Sequence, residues 1–178
     1  MTVADLNYFL ATATIALQLI AVVLLVVFVM RKRVPSFESI AQQVSRRGLW
    51  IAFAASLGAL IVAEYYKILG FEACPLCWWQ EIFLYPQVVL FGMAAWKKDF
   101  YIADYSIVLS VLGAGVALYQ HVLQMFGEGS LPCPAVGTGP SCAQRILFEF
   151  GYMTFPLMAF TVFVFLIILM LFVRSRRI

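Results

Sequence analysis

Five long apolar stretches constrain this chain more than any other feature. They run over roughly 8–30, 49–69, 76–96, 102–123 and 151–173 of 178 residues. A helix needs about 20 consecutive apolar residues to cross a bilayer core. Inside hydrocarbon each backbone N–H and C=O must be paired within its own segment, so helices are the expected form. The runs are continuous and lack the ten-residue alternation of a membrane β-barrel. Hydrophobic residues make up 64% of the chain and charged residues 12%, against ~45–50% and ~25% in an average soluble domain. That excludes a soluble globule, a disordered chain and a protein that binds nucleic acid through a basic face. The expected fold is an all-α integral membrane protein in contact with lipid.

The basic residues orient the bundle. Arg31, Lys32, Arg33, Arg46 and Arg47 lie between the first two stretches, Lys97 and Lys98 between the third and fourth, and Arg174, Arg176 and Arg177 after the fifth. Five crossings put all of these on one side and leave only Lys67 and Arg145 on the other. The positive-inside rule makes the basic side cytoplasmic and the amino terminus, with Asp5, external. The first stretch has no basic residues before it, as a secretory signal would, so it reads as a retained, lipid-facing anchor. SFESIAQQV, within 31–48, reads as a short amphipathic helix on the headgroups. On the external side, 70–75 is a short turn. Residues 124–150 form a long Gly/Pro-rich loop with little regular structure expected. A loop of that length is usually functional or disordered.

All four cysteines, Cys74, Cys77, Cys133 and Cys142, fall on that external side. An extracytoplasmic position permits disulfides. Cys74 and Cys77 form CPLC at the start of the third stretch, and Pro75 suits a first helical turn. Helix-terminal N–H groups stabilise a thiolate at such a position, and a stabilised thiolate is both nucleophile and leaving group in disulfide exchange. The alternatives for this pair alone are a structural staple or half of a metal site. Zinc would require further ligands, and His121 is the only histidine. Cys133 and Cys142 enclose PAVGTGPS; a disulfide there would be either a loop staple, worth roughly 2–3 kcal/mol, or a labile exchanging bond.

Together the two pairs suggest a relay, with a loop pair meeting a soluble protein and a membrane pair receiving its electrons. No haem, iron–sulfur or flavin motif offers an exit, so a quinone dissolved in the bilayer is the economical acceptor, placed against Cys77. Trp78, Trp79, Tyr65, Tyr66 and Tyr119 suit either the interfacial aromatic belt or the flank of a quinone. Gln80, Gln120 and His121 are polar groups at the same level, and His121 could bond a quinone oxygen or relay protons. Glu64 and Lys67, three apart, are placed to pair. Glu81, near Cys77, needs a partner inside the membrane. Arg145 could bring positive charge to the surface. Pro86 and Pro156 are expected to bend the third and fifth helices, and Gly113 and Gly115 to permit close helix contact. The competing reading is a membrane-embedded binding or transport protein with two structural staples or a soft-metal entry site.

CPLCWWQEIFLYP, then YQHVLQ, a C-x8-C loop with SCAQ, and FGYMTFPLMAF make the chain resemble the DsbB/BdbC family, and its shorter-loop BdbC branch in particular. The C-x-x-C precedes the loop cysteines, unlike the order in the related vitamin K epoxide reductases. The resemblance covers residue 48 to the carboxyl end. It implies a four-helix transmembrane core over 48–178, with an additional helix and linker in 1–47. It also implies a protein-dithiol:quinone oxidoreductase of the bacterial inner (plasma) membrane that supports disulfide bond formation in exported proteins. Its partner would be an extracytoplasmic thioredoxin-like oxidase of the DsbA/BdbD kind, and its cofactor ubiquinone or menaquinone, with no metal. On this resemblance Cys133 is attacked by the partner, Cys142 exchanges with Cys74, and Cys77 contacts the quinone, with Trp78, Glu81 and His121 around it. Relatives often carry Arg at the position of Glu81, and the first helix lies outside the usual core.

Overall fold

The structure is a computed structural model and describes residues 2–127, 132 and 140–177. Among them run five long helices: α1 (Val3–Met30), α2 (Pro35–Ile68), α3 (Pro75–Lys97), α4 (Ile102–Phe126) and α5 (Phe155–Arg174). A two-residue antiparallel ladder, β1 (Phe148–Glu149) with β2 (Met153–Thr154), leads into α5.

The helix starts follow from local chemistry. Thr2 and Asp5 form a reciprocal cap on α1: Thr2 Oγ1 accepts from the Asp5 amide at 3.2 Å, and the Asp5 carboxylate accepts from the Thr2 amide at 2.9 Å. Proline occupies the first turn of α2, α3 and α5, where its missing N–H costs little. Thr154 caps α5 by accepting from the Leu157 amide at 3.3 Å. Between α2 and α3 the chain reverses through Gly70, whose φ of 90° favours glycine.

Four of the helices, α1, α2, α4 and α5, are long and apolar enough to cross a membrane. The chain is therefore an all-α multi-pass membrane protein. α3 has the length, at 23 residues, but Gln80, Glu81 and Gln87 lower its hydropathy, and all three are buried within the protein. They meet partners there. Gln87 Oε1 accepts from Ser106 at 2.7 Å and Ser110 at 3.0 Å, which ties α3 to α4. Such polar clamps satisfy groups that lipid would leave bare.

α5 is the innermost helix, and Leu166, Leu169, Met170, Phe172 and Val173 on it are wholly buried. Two glycines let neighbours approach it. A Cβ on Gly113 of α4 would stand 2.4 Å from the Phe163 ring, and one on Gly48 of α2 would stand 2.7 Å from Val173. Gly115 faces open space, so only Gly113 of the expected pair serves a close contact.

The structure changes two local expectations. SFESIAQQV is not a separate surface helix but the beginning of α2, whose 34 residues span about 50 Å at 1.5 Å per residue. The 47/48 division therefore falls inside a continuous helix. Pro156 sits in the first turn of α5 and bends nothing, because the helix begins only at Phe155; Pro86 does lie within α3. β1 lies at the far end of the long loop and β2 just beyond it, so α5 begins at Phe155 rather than at 151.

The helix directions gather the α1 start, the α2 end, the α3 start, the α4 end and the α5 start at one end of the bundle. Asn7 Nδ2 donates to the Ile146 carbonyl at 3.5 Å and Asn7 Oδ1 accepts from the Tyr66 hydroxyl there. At the opposite end Arg31 donates to Ser175 at 2.5 Å and Arg174 pairs with Asp104 at 3.1 Å.

Candidate active site

The short turn after α2 delivers Cys74 to the N-cap of α3, and one helical turn brings Cys77 beneath it. Their sulfurs lie 3.1 Å apart, inside van der Waals contact and within reach of a covalent bond. Cys74 is buried and Cys77 half-buried. The hydrogen bond with the Cys77 sulfur, followed by burial, pushes the Cys74 thiol well above the ordinary thiol range.

The third participant is Gln120. Its side-chain amide nitrogen lies 3.1 Å from Cys74 Sγ and 3.3 Å from Cys77 Sγ, so one carboxamide spans both sulfurs. Its oxygen accepts from Gln80 Nε2 at 2.5 Å, and Gln80 Nε2 also donates to the Leu76 carbonyl at 3.2 Å. Gln120 is 1% exposed. The Gln120 oxygen also lies 3.7 Å from Cys77 Sγ, so the nitrogen is the nearer end to both sulfurs. Gln80 and Gln120 are visible in the sequence as polar residues at this level, yet nothing there shows that one of them bridges the thiols. Gln120 and Gln124, four apart in an apolar helix, were the available signal, since that spacing puts both on one face.

Cys142 is fully buried and shares an apolar cluster with Cys74, Leu76 and Leu123. Two side chains hold its segment against α4. Gln124 Nε2 donates to the Cys142 carbonyl at 3.4 Å and the Gln144 carbonyl at 2.9 Å. Arg145 donates to the last-turn carbonyls of Gln124, at 2.7 Å, and Met125, at 3.2 Å. Arg145 thus works as a helix-end cap. Tyr119 reaches the Pro132 carbonyl at 2.5 Å; Cys133, the next residue, lies outside the described residues.

Glu81 has the partner that its depth requires. Lys67 Nζ lies 2.7 Å from its carboxylate and 3.0 Å from Glu64, so the expected i,i+3 pair forms and extends across to α3. Tyr85 completes the cluster, with its hydroxyl 3.2 Å from Lys67 Nζ and donating to Glu64. The Lys67 ammonium also sits 4.4 Å from the centre of the Trp78 ring.

A cleft of about 350 Å³ opens beside the sulfurs. Cys74, Cys77, Gln80, Glu81, Gln120 and Lys67 stand in its wall toward the cysteine end. Deeper, the wall is aliphatic and aromatic, with Ala55, Gly58 and Val62 of α2 facing Met158, Val162 and Phe163 of α5. Gln124 lines it too, and its buried Oε1 has no hydrogen-bond partner among the described residues. Leu10, Ala13, Thr14 and Leu17 bring α1 into the same wall, so α1 is more than the lipid-facing anchor that its sequence suggests. The structure thus brings Cys74, Cys77 and Glu81 together around the cleft. Trp78 is half-exposed over Lys67 and His121 bonds Thr154 at 2.8 Å, and neither stands in the cleft wall.

A bundle of membrane helices with a dithiol at the mouth of an apolar cleft defines a membrane thiol–disulfide protein. The chain belongs to the DsbB family: the model for that family, described as "Disulfide bond formation protein DsbB", matches residues 45–173. It is 40% identical over 113 residues to the "Probable disulfide formation protein C 1" of Bacillus anthracis, covering 64% of this chain and 78% of the relative. It is 33% identical over 127 residues to a "Probable disulfide formation protein" of Metapseudomonas resinovorans, covering 71% and 85%. It is 30% identical over 129 residues to the "Disulfide bond formation protein C" of Bacillus subtilis strain 168, covering 71% and 89%. No solved structure matches it. The protein is accordingly a disulfide-bond-forming membrane oxidoreductase, and α1 lies wholly before the matched region.

Proposed function

We propose that this protein is a protein-dithiol:quinone oxidoreductase of the bacterial plasma membrane that reoxidises an extracytoplasmic thioredoxin-like partner. The observation that carries the reading is the cleft. Its apolar length ends at two sulfurs 3.1 Å apart, so a lipid-soluble acceptor can reach the dithiol without leaving the bilayer. The polar mouth and apolar depth fit a quinone with a hydrocarbon tail, and the unpartnered Gln124 Oε1 suits a hydroxyl donor such as a quinol. Ubiquinone and menaquinone share this chemistry. When bound, the quinone supplies the two-electron, two-proton sink.

The protein's own residues do the rest. A partner thiolate attacks Cys133 of a Cys133–Cys142 disulfide, and the partner's second thiol resolves the mixed disulfide, leaving both loop cysteines reduced. The loop thiols then reduce a Cys74–Cys77 disulfide, with Cys142 attacking Cys74 and Cys133 releasing it. The Cys74–Cys77 dithiol loses two electrons and two protons into the cleft as its bond reforms. Gln120 stabilises the negative charge that develops on either sulfur. Residues 48–178 serve as the catalytic core, with the cysteine end extracytoplasmic and the basic end cytoplasmic.

The test is turnover in liposomes with a reduced thioredoxin-like oxidase and a quinone. Cys77→Ser and Cys133→Ser should each abolish it, and a partner whose second thiol is replaced should accumulate a mixed disulfide through Cys133 of the unaltered protein, because nothing on the partner is then left to resolve it. Undiminished turnover in both serine variants would return the cysteines to the role of staples.

A further inference from the structure

We propose that α1 is the wall of this site that selects the hydrocarbon tail of the electron acceptor, with Ala13, Thr14 and Leu17 as its specificity-determining residues. The inference rests on the quinone reading above and concerns how the tail is held. The cleft is elongated: it follows α2 from Lys67 to Ala54, 13 residues or about 20 Å of helix. Its charged and amide groups stand at the sulfur end, and the far end is hydrocarbon. That gradient matches an amphipathic ligand with a redox-active head and a flexible chain.

The chain's path lies between α1 and α2. A Cβ built on Gly58 meets nothing within 4 Å, so the surface of α2 there is open. Ala13 and Thr14 present small side chains to the same space. At the opposite end of the bundle α2 and α5 close tightly, with Gly48 against Val173.

α1 is held firmly enough to act as a wall. Its cleft-lining residues, 10–17, lie between two polar clamps. Asn7 bonds the Tyr66 hydroxyl and the Ile146 carbonyl at one end, and Gln18 Nε2 donates to Thr161 Oγ1 at 3.0 Å at the other. Hydrogen bonds in an apolar bundle fix helix rotation as well as position, so the face that α1 turns to the cleft is set.

The test compares two quinones with one ring, 2,3-dimethoxy-5-methyl-1,4-benzoquinone and its ten-carbon alkyl derivative. Each is reduced by dithiothreitol through the full-length protein in liposomes, with the Cys77→Ser protein as background. Ala13→Phe fills the space from an exposed position of α1. It should raise KM for the alkyl quinone roughly tenfold, the equivalent of about two buried methylenes, and raise KM for the tailless quinone by much less. Thr14→Leu should act in the same direction. Unchanged kinetics with both quinones would overturn the proposal. So would an equal loss with both, the result expected if the deep cleft holds a phospholipid acyl chain or α1 merely supports the fold. If the unaltered protein reduces neither quinone, the quinone reading itself falls and takes this one with it.

Discussion

Gln120 donates its side-chain amide to Cys77 Sγ across 3.3 Å while Gln80 holds the other end of the same carboxamide. Gln120 and Cys77 come from α4 and α3, 43 positions apart in the chain. A neutral amide therefore stands beside the dithiol, with its donor end toward sulfur. Such an arrangement stabilises developing negative charge without placing a cation in the apolar wall.

Replacing Gln120 by Leu removes that donor at little change in volume. A hydrogen bond to a charged group is worth ~1.5–3 kcal/mol, so alkylation of the reduced pair by iodoacetamide at pH 7 should slow by about tenfold or more. Gln120→Glu should slow it further by opposing charge with charge. Mass spectrometry should find Cys77 modified first. The Cys74 thiol, held above the ordinary thiol range by the Cys77 sulfur and by burial, should be modified second. Equal rates in Gln120→Leu and the unaltered protein would exclude a role for the bridge.

The Lys67–Glu81 pair should be asymmetric. Lys67→Met leaves the Glu81 carboxylate, 9% exposed, without its counterion, and stranding a buried charge costs about 3 kcal/mol. Glu81→Gln leaves Lys67 its second partner, Glu64, at 3.0 Å, and should cost less. The double variant should recover part of the Lys67→Met loss. Thermal unfolding in detergent checks the order; identical losses in the two single variants would contradict the geometry.

Gly113 and Phe163 should be coupled. Gly113→Ala drives a Cβ to within 2.4 Å of the ring, and overpacking of this kind costs about 1–3 kcal/mol. Phe163→Leu in the same chain should recover much of the loss. A double-mutant cycle that returns simple additivity would show that α4 and α5 do not meet through this pair.

Arg145→Ala should loosen the segment that carries Cys142. The guanidinium bonds two terminal carbonyls of α4 and lies 4.5 Å from the centre of the Phe148 ring. Its loss should raise amide hydrogen exchange over residues 142–147 by about tenfold, which corresponds to ~1.4 kcal/mol of local stability. Unaltered exchange would mean that Gln124 alone secures the segment.

The helices and their directions were legible from the residues because run length, charge and chain order are one-dimensional quantities. Nothing beyond apolar runs and basic segments was needed to gather the α3 start and the long loop at one end of the bundle. CPLC at a helix start and the Glu64–Lys67 pair were likewise local, since three-residue spacing on a helix suffices to bring side chains together. SFESIAQQV misled because its polar face resembles that of a surface helix, whereas continuity with α2 depends on the backbone running on without a breaker.

What the tertiary structure decided is the site's lining. Helix rotation and packing, set by contacts such as Gln87 with Ser106, Gly113 with Phe163 and Gln18 with Thr161, determine which residues of neighbouring helices face each other. No run of hydropathy encodes that. The Gln120 bridge, the Lys67–Glu81 crossing, the turn of His121 toward Thr154 and the entry of α1 into the cleft wall all depend on those rotations, and so only the assembled bundle determined them.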